Sequence, residues 1–366
     1  MSLDNTQRRR SFIKKTALGA GTLGITSLAG CSGNGGDGGD GDDGDNGSDG
    51  DDGSDGDDGN GDSGPGSVEM TMASSYEPDH VSVQAAERFK EIVEDETDGD
   101  FSIDIVAGGS YGGEGEIAEL TREGALEAHA DSRWPFTQYT PEYEFVNIPV
   151  VFEDFDHLVR VTESEEFEPA FEQMRSEGNQ RMIGQWIDRG LRHFTSNEPV
   201  REPADVEDVD LRLPPLDRWV AIWEELGANP TTVALDELYS ALQTGTVAAS
   251  EGDIPQIHSF NLDEVQDYLS YTGHHVQVAA LYMNEDFYQD LDESYRTLVD
   301  EASQEATEEI SQTVRDQISE METELEEGGM ELVEDVDREA FQEAARPVVE
   351  EMFEDFAGSL DEWQEI

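Results

Sequence analysis

Few side chains in this 366-residue chain have the type and setting to do chemistry, and the clearest is an arginine. In Asp210-Leu211-Arg212-Leu213-Pro214-Pro215 a guanidinium alternates with two leucines, and two prolines stop the run. Period-two alternation before a proline stop predicts the end of a β-strand. A guanidinium is permanently charged, and its planar fork fits a carboxylate bidentately, so an arginine among apolar strand residues is a candidate anion anchor. On pattern alone it could equally be salt-bridged to Asp208, Asp210 or Asp217.

Other chemistry is thin. The run "GGSYGGEGE" lacks the lysine of a phosphate-binding loop and does not fit a dinucleotide fingerprint. No G-x-S-x-G or H-E-x-x-H occurs, and acids are too common for any pair to read as a glycosidase dyad. His274 and His275 are adjacent, so they point apart on a strand, and no cysteine or spaced histidine joins them into a metal site. No cofactor, metal or enzymatic activity is expected.

The bulk composition sets the frame around Arg212. Acidic residues number 87 against 21 basic ones, and the formal net charge is −66. The only lysines are Lys14, Lys15 and Lys90. Acid spread over every expected helix keeps a protein hydrated in concentrated salt, and at about 1 M the Debye length of ~3 Å screens the self-repulsion. The expectation is a halophilic protein. Regular apolar periodicity after residue 68 argues against an acidic disordered chain. The absence of a basic stripe argues against nucleic acid as a partner.

The first 67 residues read as an address and a tether. Basic residues precede an apolar, glycine-rich segment from Thr16 to Gly30, as in an export signal. Arg9-Arg10-Ser11-Phe12-Ile13-Lys14 resembles a twin-arginine signal, and Leu28-Ala29-Gly30-Cys31 resembles a lipobox. Residues 1–31 are therefore expected to be a signal with Cys31 as the lipidated residue, giving a membrane anchor on the outer face of the cytoplasmic membrane. Residues 32–67 are nearly all Gly, Asp, Ser and Asn and are expected to form a flexible, disordered tether. No EF-hand spacing occurs in them.

Residues 68–366 are enough for two lobes. "SVEMTMASS" reads as a strand, residues 81–99 as an amphipathic helix, and "DFSIDIVAGG" as a second strand. "EGEIAELTREG" reads as a helix, and "HADSRWPF" as a strand leading into a loop. This alternation predicts a parallel sheet with covering helices. Strands are expected around 192–196 and 210–213, and helices over 217–227, 293–327 and 337–356. The stretch "TTVALDELYSALQTG" reads as a strand and then a helix.

The segments "RGLRHFTSNEPVREPADVEDVDLRLP", "ELGANPTTVALDELYSALQTGTV", "DEVQDYLSYTGHH" and "YEFVNIPVVFEDFDH" resemble the DctP-type solute-binding proteins of TRAP transporters, in family order and spacing. The resemblance implies an α/β fold. Two lobes close like a periplasmic-binding-protein clamp, with strands and a long helix crossing between them. It implies that Arg212 grips a ligand carboxylate and that Arg192 lies close by. It makes Glu251 a hinge or hydrogen-bond organiser of the ligand site and His274 a ligand contact or loop holder. Asp131, Ser132 and Trp134 would line the cleft from the first lobe, and Trp134 and Phe194 would wall a pocket or fill the core. Tyr239 reads as packing.

The chain departs from that pattern at several points. Gly115 stands where an arginine is frequent, Gly252 where an asparagine often meets ligand, Ala248 for an aspartate, and Pro215 for a donor. The losses at Gly115 and Pro215 point to a smaller or less hydroxylated ligand, a C4-dicarboxylate or a 2-oxo acid. The implied function is a lipid-anchored, extracytoplasmic binding protein that hands an organic acid to the small and large membrane subunits of a TRAP permease. The alternative is a surface sensor of the same fold that feeds a signalling partner.

Overall fold

A computed structural model describes residues 66–366, except for the side chain of Asp236. The expected signal, Cys31 and nearly all of the tether lie outside the described residues. The described chain opens with β1 (Val68–Ala73), α1 (Val81–Glu96), β2 (Phe101–Val106), α2 (Glu114–Arg122), β3 (Ala128–Asp131) and α3 (Trp134–Tyr139). It continues through α4 (Phe155–Thr162), α5 (Glu168–Glu177), β4 (Gln180–Ser196), β5 (Asp210–Leu213), α6 (Asp217–Glu225), β6 (Asn229–Thr232), α7 (Leu238–Gln243), β7 (Ser250–Asp253) and α8 (Ile254–Ser259). The last elements are β8 (Tyr268–Asn284), α9 (Glu285–Asp290), α10 (Glu293–Gly328), β9 (Glu331–Val333), α11 (Arg338–Met352) and α12 (Leu360–Gln364).

The main sheet runs β2-β1-β3-β8-β4-β7, with β9 on β8. β1 pairs in parallel with both β2 and β3, as the opening alternation predicts. β5 and β6 form a second, parallel pair. One isolated bridge, Leu211 to Ala249, ties that pair to the approach of β7. β4 and β8 are antiparallel strands of 17 residues each. At ~3.3 Å per residue each spans about 56 Å, enough to serve both lobes.

α10 spans a similar distance, because 36 residues rise about 54 Å at 1.5 Å each. Its halves belong to different cores. Val299, Ala302, Ala306 and Val314 pack with Phe89, Ile103 and Leu281 of the first lobe. Leu325 packs with Leu238, Ile257 and Leu269 of the second, and Ile318 touches both clusters. Sparse apolar positions suffice for this helix, because it presents a narrow stripe to each core and acid to solvent. It stops at Gly329, whose φ of 114° suits a left-handed cap.

Two readings are corrected. The segment after β3 is a helix and not a loop. Pro135 occupies its first turn, where a missing N–H costs nothing. The strand expected around 192–196 is only the end of β4. The polar and glycine positions that broke its apolar pattern sit at register shifts against β8, between Ile183 and Ile187 and between Asp188 and Leu191.

One of those breaks marks a close approach. Gly184 has φ +69°, and a Cβ there would lie 2.5 Å from the Ser303 carbonyl oxygen and 2.8 Å from Thr307 Oγ1 on α10. Gly184→Ala is expected to destabilise the fold by about 2 kcal/mol or more. The heat-unfolding midpoint should fall by several degrees, and an unchanged midpoint would show that α10 does not bear on β4 at this point.

Candidate functional site

Arg212 lies in β5 between Leu211 and Leu213, both 0 % exposed, and is itself 2 % exposed. Its backbone N–H donates to Ala249 O at 2.9 Å, and its Nε donates to Val233 O at 3.0 Å. Among the described residues no carboxylate lies within salt-bridge distance of it, so Asp208, Asp210 and Asp217 are not its partners. Its two terminal nitrogens make no hydrogen bond to the described residues. Burial pushes its pKa down, nearby Glu251 opposes that and Arg192 adds to it. A guanidinium nevertheless keeps its proton. The result is a buried charge with half its fork unused.

Arg192 is organised differently. Its Nε donates to Glu251 Oε2 at 2.5 Å and its Nη2 to Glu251 Oε1 at 2.8 Å. His274 Nε2 is 3.2 Å from the same Oε2, and Thr272 Oγ1 fixes its Nδ1 at 2.8 Å. Burial would raise the Glu251 pKa, but the Arg192 charge and the donors from His274 and Arg192 hold it down at about 2. Glu251 is thus an ionised organiser, and His274 reaches it and not open space. The Arg192 guanidinium also lies 5.3 Å from the Trp219 ring centroid.

A second pair runs beside the first, with Arg189 Nη2 2.8 Å from Asp253 Oδ2. Glu251 and Asp253 are two apart on β7 and share a face, whereas Arg189 and Arg192 are three apart on β4. A regular strand would put those arginines on opposite faces. The bulge between Asp188 and Leu191, with Gly190 at φ +82°, re-aims one of them.

The first lobe supplies an opposing wall. Tyr76 OH and Ser132 Oγ each donate to Glu114 Oε1 at 2.7 Å. Tyr76 stacks on His80 at 3.7 Å. His80 Nδ1 accepts the Ser82 N–H that starts α1, so its proton sits on Nε2, which has no partner among the described residues. Arg189 and Arg192 are within electrostatic reach of Tyr76.

The two glycine departures acquire reasons. A Cβ on Gly115 would lie 2.7 Å from Trp134 Nε1, so Trp134 packs where an arginine would leave α2. A Cβ on Gly252 would lie 3.0 Å from Gln256 Nε2, and Gln256 Oε1 faces Arg192 Nη1 at 3.4 Å. An amide therefore stands near this position after all. Phe194 is 0 % exposed and packs on Trp223 at 5.3 Å between ring centroids, within the core. Tyr239 packs against the second-lobe core, and its hydroxyl donates to Glu264 at 2.6 Å. Tyr76, His80, Glu114, Arg133 and Gln256 were not singled out by sequence. Only Gly190 in "DRGLR" signalled the bulge that aligns Arg189.

A two-lobed α/β fold with crossing strands, a shared long helix and a charged cluster between its cores defines a solute-binding protein. Residues 72–355 match the DctP family, bacterial extracellular solute-binding protein family 7, and the chain belongs to it. It is similar to a solute-binding protein of Roseobacter denitrificans, with 28 % identity over 281 residues, 74 % of this chain and 86 % of the relative. It is also similar to a TRAP periplasmic solute-binding protein of Polaromonas sp. JS666 bound to D-erythronate. That match has a TM-score of 0.70 at 27 % identity and covers 79 % of this chain and 95 % of the other. A Roseobacter denitrificans TRAP protein with bound β-D-glucuronate gives a TM-score of 0.71 at 27 % identity, covering 78 % and 94 %.

The Glu251 geometry predicts an acid limb of stability. Its folded pKa is depressed, so the stabilisation is complete above the ordinary carboxylate range near 4.5 and is lost as pH falls through about 2. Glu251→Gln removes the charge that balances Arg192 and should cost about 3–5 kcal/mol at neutral pH. Urea titrations from pH 7 down to pH 2 should show the deficit of this variant shrinking toward acid. A deficit independent of pH would show that the ion pair is not its source.

Proposed function

We propose that this protein captures an organic carboxylate between its lobes, outside the cytoplasm, and delivers it to the small and large membrane subunits of a TRAP-type permease. The observation that carries the reading is the unused fork of Arg212, a buried fixed charge awaiting an anion. A solute bound there and by the Tyr76–His80–Glu114 wall contacts both lobes only when they are closed. Binding therefore shifts the population toward the closed form.

The solute favoured by the site is a hydroxylated monocarboxylate. Glu251 and Asp253 already balance Arg192 and Arg189, which leaves Arg212 for one carboxylate. Across from it, the acid–phenol–hydroxyl wall suits sugar hydroxyls better than a second negative charge. D-Erythronate and β-D-glucuronate, carried by the two similar proteins, are of this class. The smaller C4-dicarboxylate or 2-oxo acid is the second reading, and its one support is the charge of Arg133, whose Nη1 meets His275 Nε2 and whose Nη2 donates to Val276 O. Arg133 is 2 % exposed, its pKa is pushed down to about 9 by burial, and no carboxylate is within salt-bridge distance of it among the described residues. The twin-arginine signal, lipidation at Cys31, the 32–67 tether and adaptation to molar salt complete the proposal. Together they keep the domain within reach of a permease in the same membrane.

The test is a heat-unfolding screen of the full chain in multi-molar salt with D-glucuronate, D-erythronate, succinate and pyruvate. A solute that binds only the folded protein adds about 2.7 kcal/mol of stability at a hundredfold excess over Kd. A sugar acid is expected to raise the midpoint more than succinate does. Arg212→Ala should weaken the best acid by about 2–5 kcal/mol, abolishing the shift. An equal shift in Arg212→Ala would make Arg212 structural, and a larger shift with succinate would select the dicarboxylate.

A further inference from the structure

Beneath the first-lobe wall lies a set of buried polar groups that the anion clamp does not use. His129 and Asp131 alternate on β3, both 0 % exposed. Their hydrogen bonds fix where protons can be. Gln180 Nε2 donates to Ala118 O at 2.7 Å, so Gln180 Oε1 faces His129 Nε2, also at 2.7 Å. The Nε2 atom must then carry the imidazole proton, leaving Nδ1 of a neutral ring as a bare acceptor. That Nδ1 lies 3.6 Å from Asp131 Oδ2, and neither atom has another partner among the described residues. Asp131 Oδ1 is already taken by the Ser132 N–H at 2.7 Å. Two acceptors facing each other in a buried site leave both groups unsatisfied, and one additional proton between them, with the 3.6 Å gap drawn in to hydrogen-bond length, satisfies both.

We propose that His129 and Asp131 hold one shared proton and act as a positioning pair: the neutral Asp131 carboxyl fixes Ser132, and through it Glu114, as the hydroxyl-accepting group of the cleft. Ser132 is the link. Its N–H meets Asp131, its hydroxyl meets Glu114, and its carbonyl accepts Tyr282 OH at 2.7 Å. Burial drives the His129 pKa down to about 4 and raises those of Asp131 and Glu114, that of Glu114 well above the usual carboxylate value; the proton is assigned to Asp131 because its Oδ2 faces the bare His129 Nδ1. With Asp131 neutral, Glu114 loses the like-charged neighbour that, after burial, pushes its own pKa up most. The other titratable or charged groups around the pair are Tyr76 after β1, Tyr282 on β8, stacked on His129 at 4.9 Å, and Arg133 and Arg189.

The pH window follows from the signs. The stability given by neutral Asp131 is complete below the ordinary aspartate pKa and is lost as pH rises through the raised one. That given by neutral His129 is complete above the ordinary histidine pKa and is lost as pH falls through about 4. The inference takes from the proposed function only that Glu114 faces the solute, so its first test uses no solute.

Long-range ¹⁵N–¹H spectra of the unmodified full chain near neutral pH should show His129 neutral, protonated on Nε2, with Nδ1 accepting a hydrogen bond. A proton on Nδ1 or an imidazolium would overturn the proposal. Asp131→Asn mimics the neutral acid, with its amide donating to Nδ1. Its heat-unfolding midpoint should fall less than that of the wild type as pH rises from 5 to 9, and binding of D-glucuronate should lose its alkaline decline. If Asp131→Asn tracks the wild type and Glu114→Gln flattens the profile instead, the proton belongs to Glu114 and the assignment fails. Should D-glucuronate not bind at any pH, the proposed function loses support, while the spectra and midpoints still decide the proton.

Discussion

A permanently charged guanidinium buried without a counter-charge is costly. Taking such an ion out of water costs several kcal/mol unless a partner returns the loss. Arg212 has no salt-bridge partner among the described residues, only the nearby charge of Glu251, and the structure around it makes sense as the means of keeping it there. Leu211 and Leu213 anchor the strand in the core, and Val233 O holds Nε, so the remaining fork points one way. Close by, Arg192 and Arg189 are spent on Glu251 and Asp253. Of this cluster, Arg212 has the most to gain from an incoming anion, which is the basis for proposing it as the carboxylate anchor.

The fold supplies that arrangement through its crossing elements. β4 and β8 run through both lobes, and the irregularities in their pairing lie next to the charged residues. A bulge costs a ladder bond and gains a re-aimed side chain, which here lets two arginines three residues apart face two acids two residues apart. α10 spans the same distance and joins both cores through Ile318. Closure then becomes a motion of two packed bodies about continuous elements, so a solute held at one lobe is felt at the other.

Much of this was legible in the sequence. The opening βαβ alternation, the end of β5 at Leu213 and the stop of α10 before Gly329 follow from short-range pattern, because each is set by residues next to one another. Arg212 stood out for the same local reason. What the pattern hid is set by distant partners. The 17-residue strands were broken in sequence by glycines that are needed for bulges. α3 reads as a loop in sequence because its single proline and its aromatics are poor helix signals in so short a run. The wall of Tyr76, His80, Glu114 and Ser132 joins three segments. The reason for Gly115 lies in Trp134, 19 positions away, and no single-segment reading can find it.

The central claim concerns where the carboxylate sits, and a structure of the chain crystallised with its best-binding acid tests it most directly. The account predicts both carboxylate oxygens at about 2.7–2.9 Å from the terminal nitrogens of Arg212, with the Arg192–Glu251 pair intact and the hydroxyl end against Glu114 and Tyr76. A carboxylate bound elsewhere, with Arg212 still unpaired or turned to a protein acid, would contradict it.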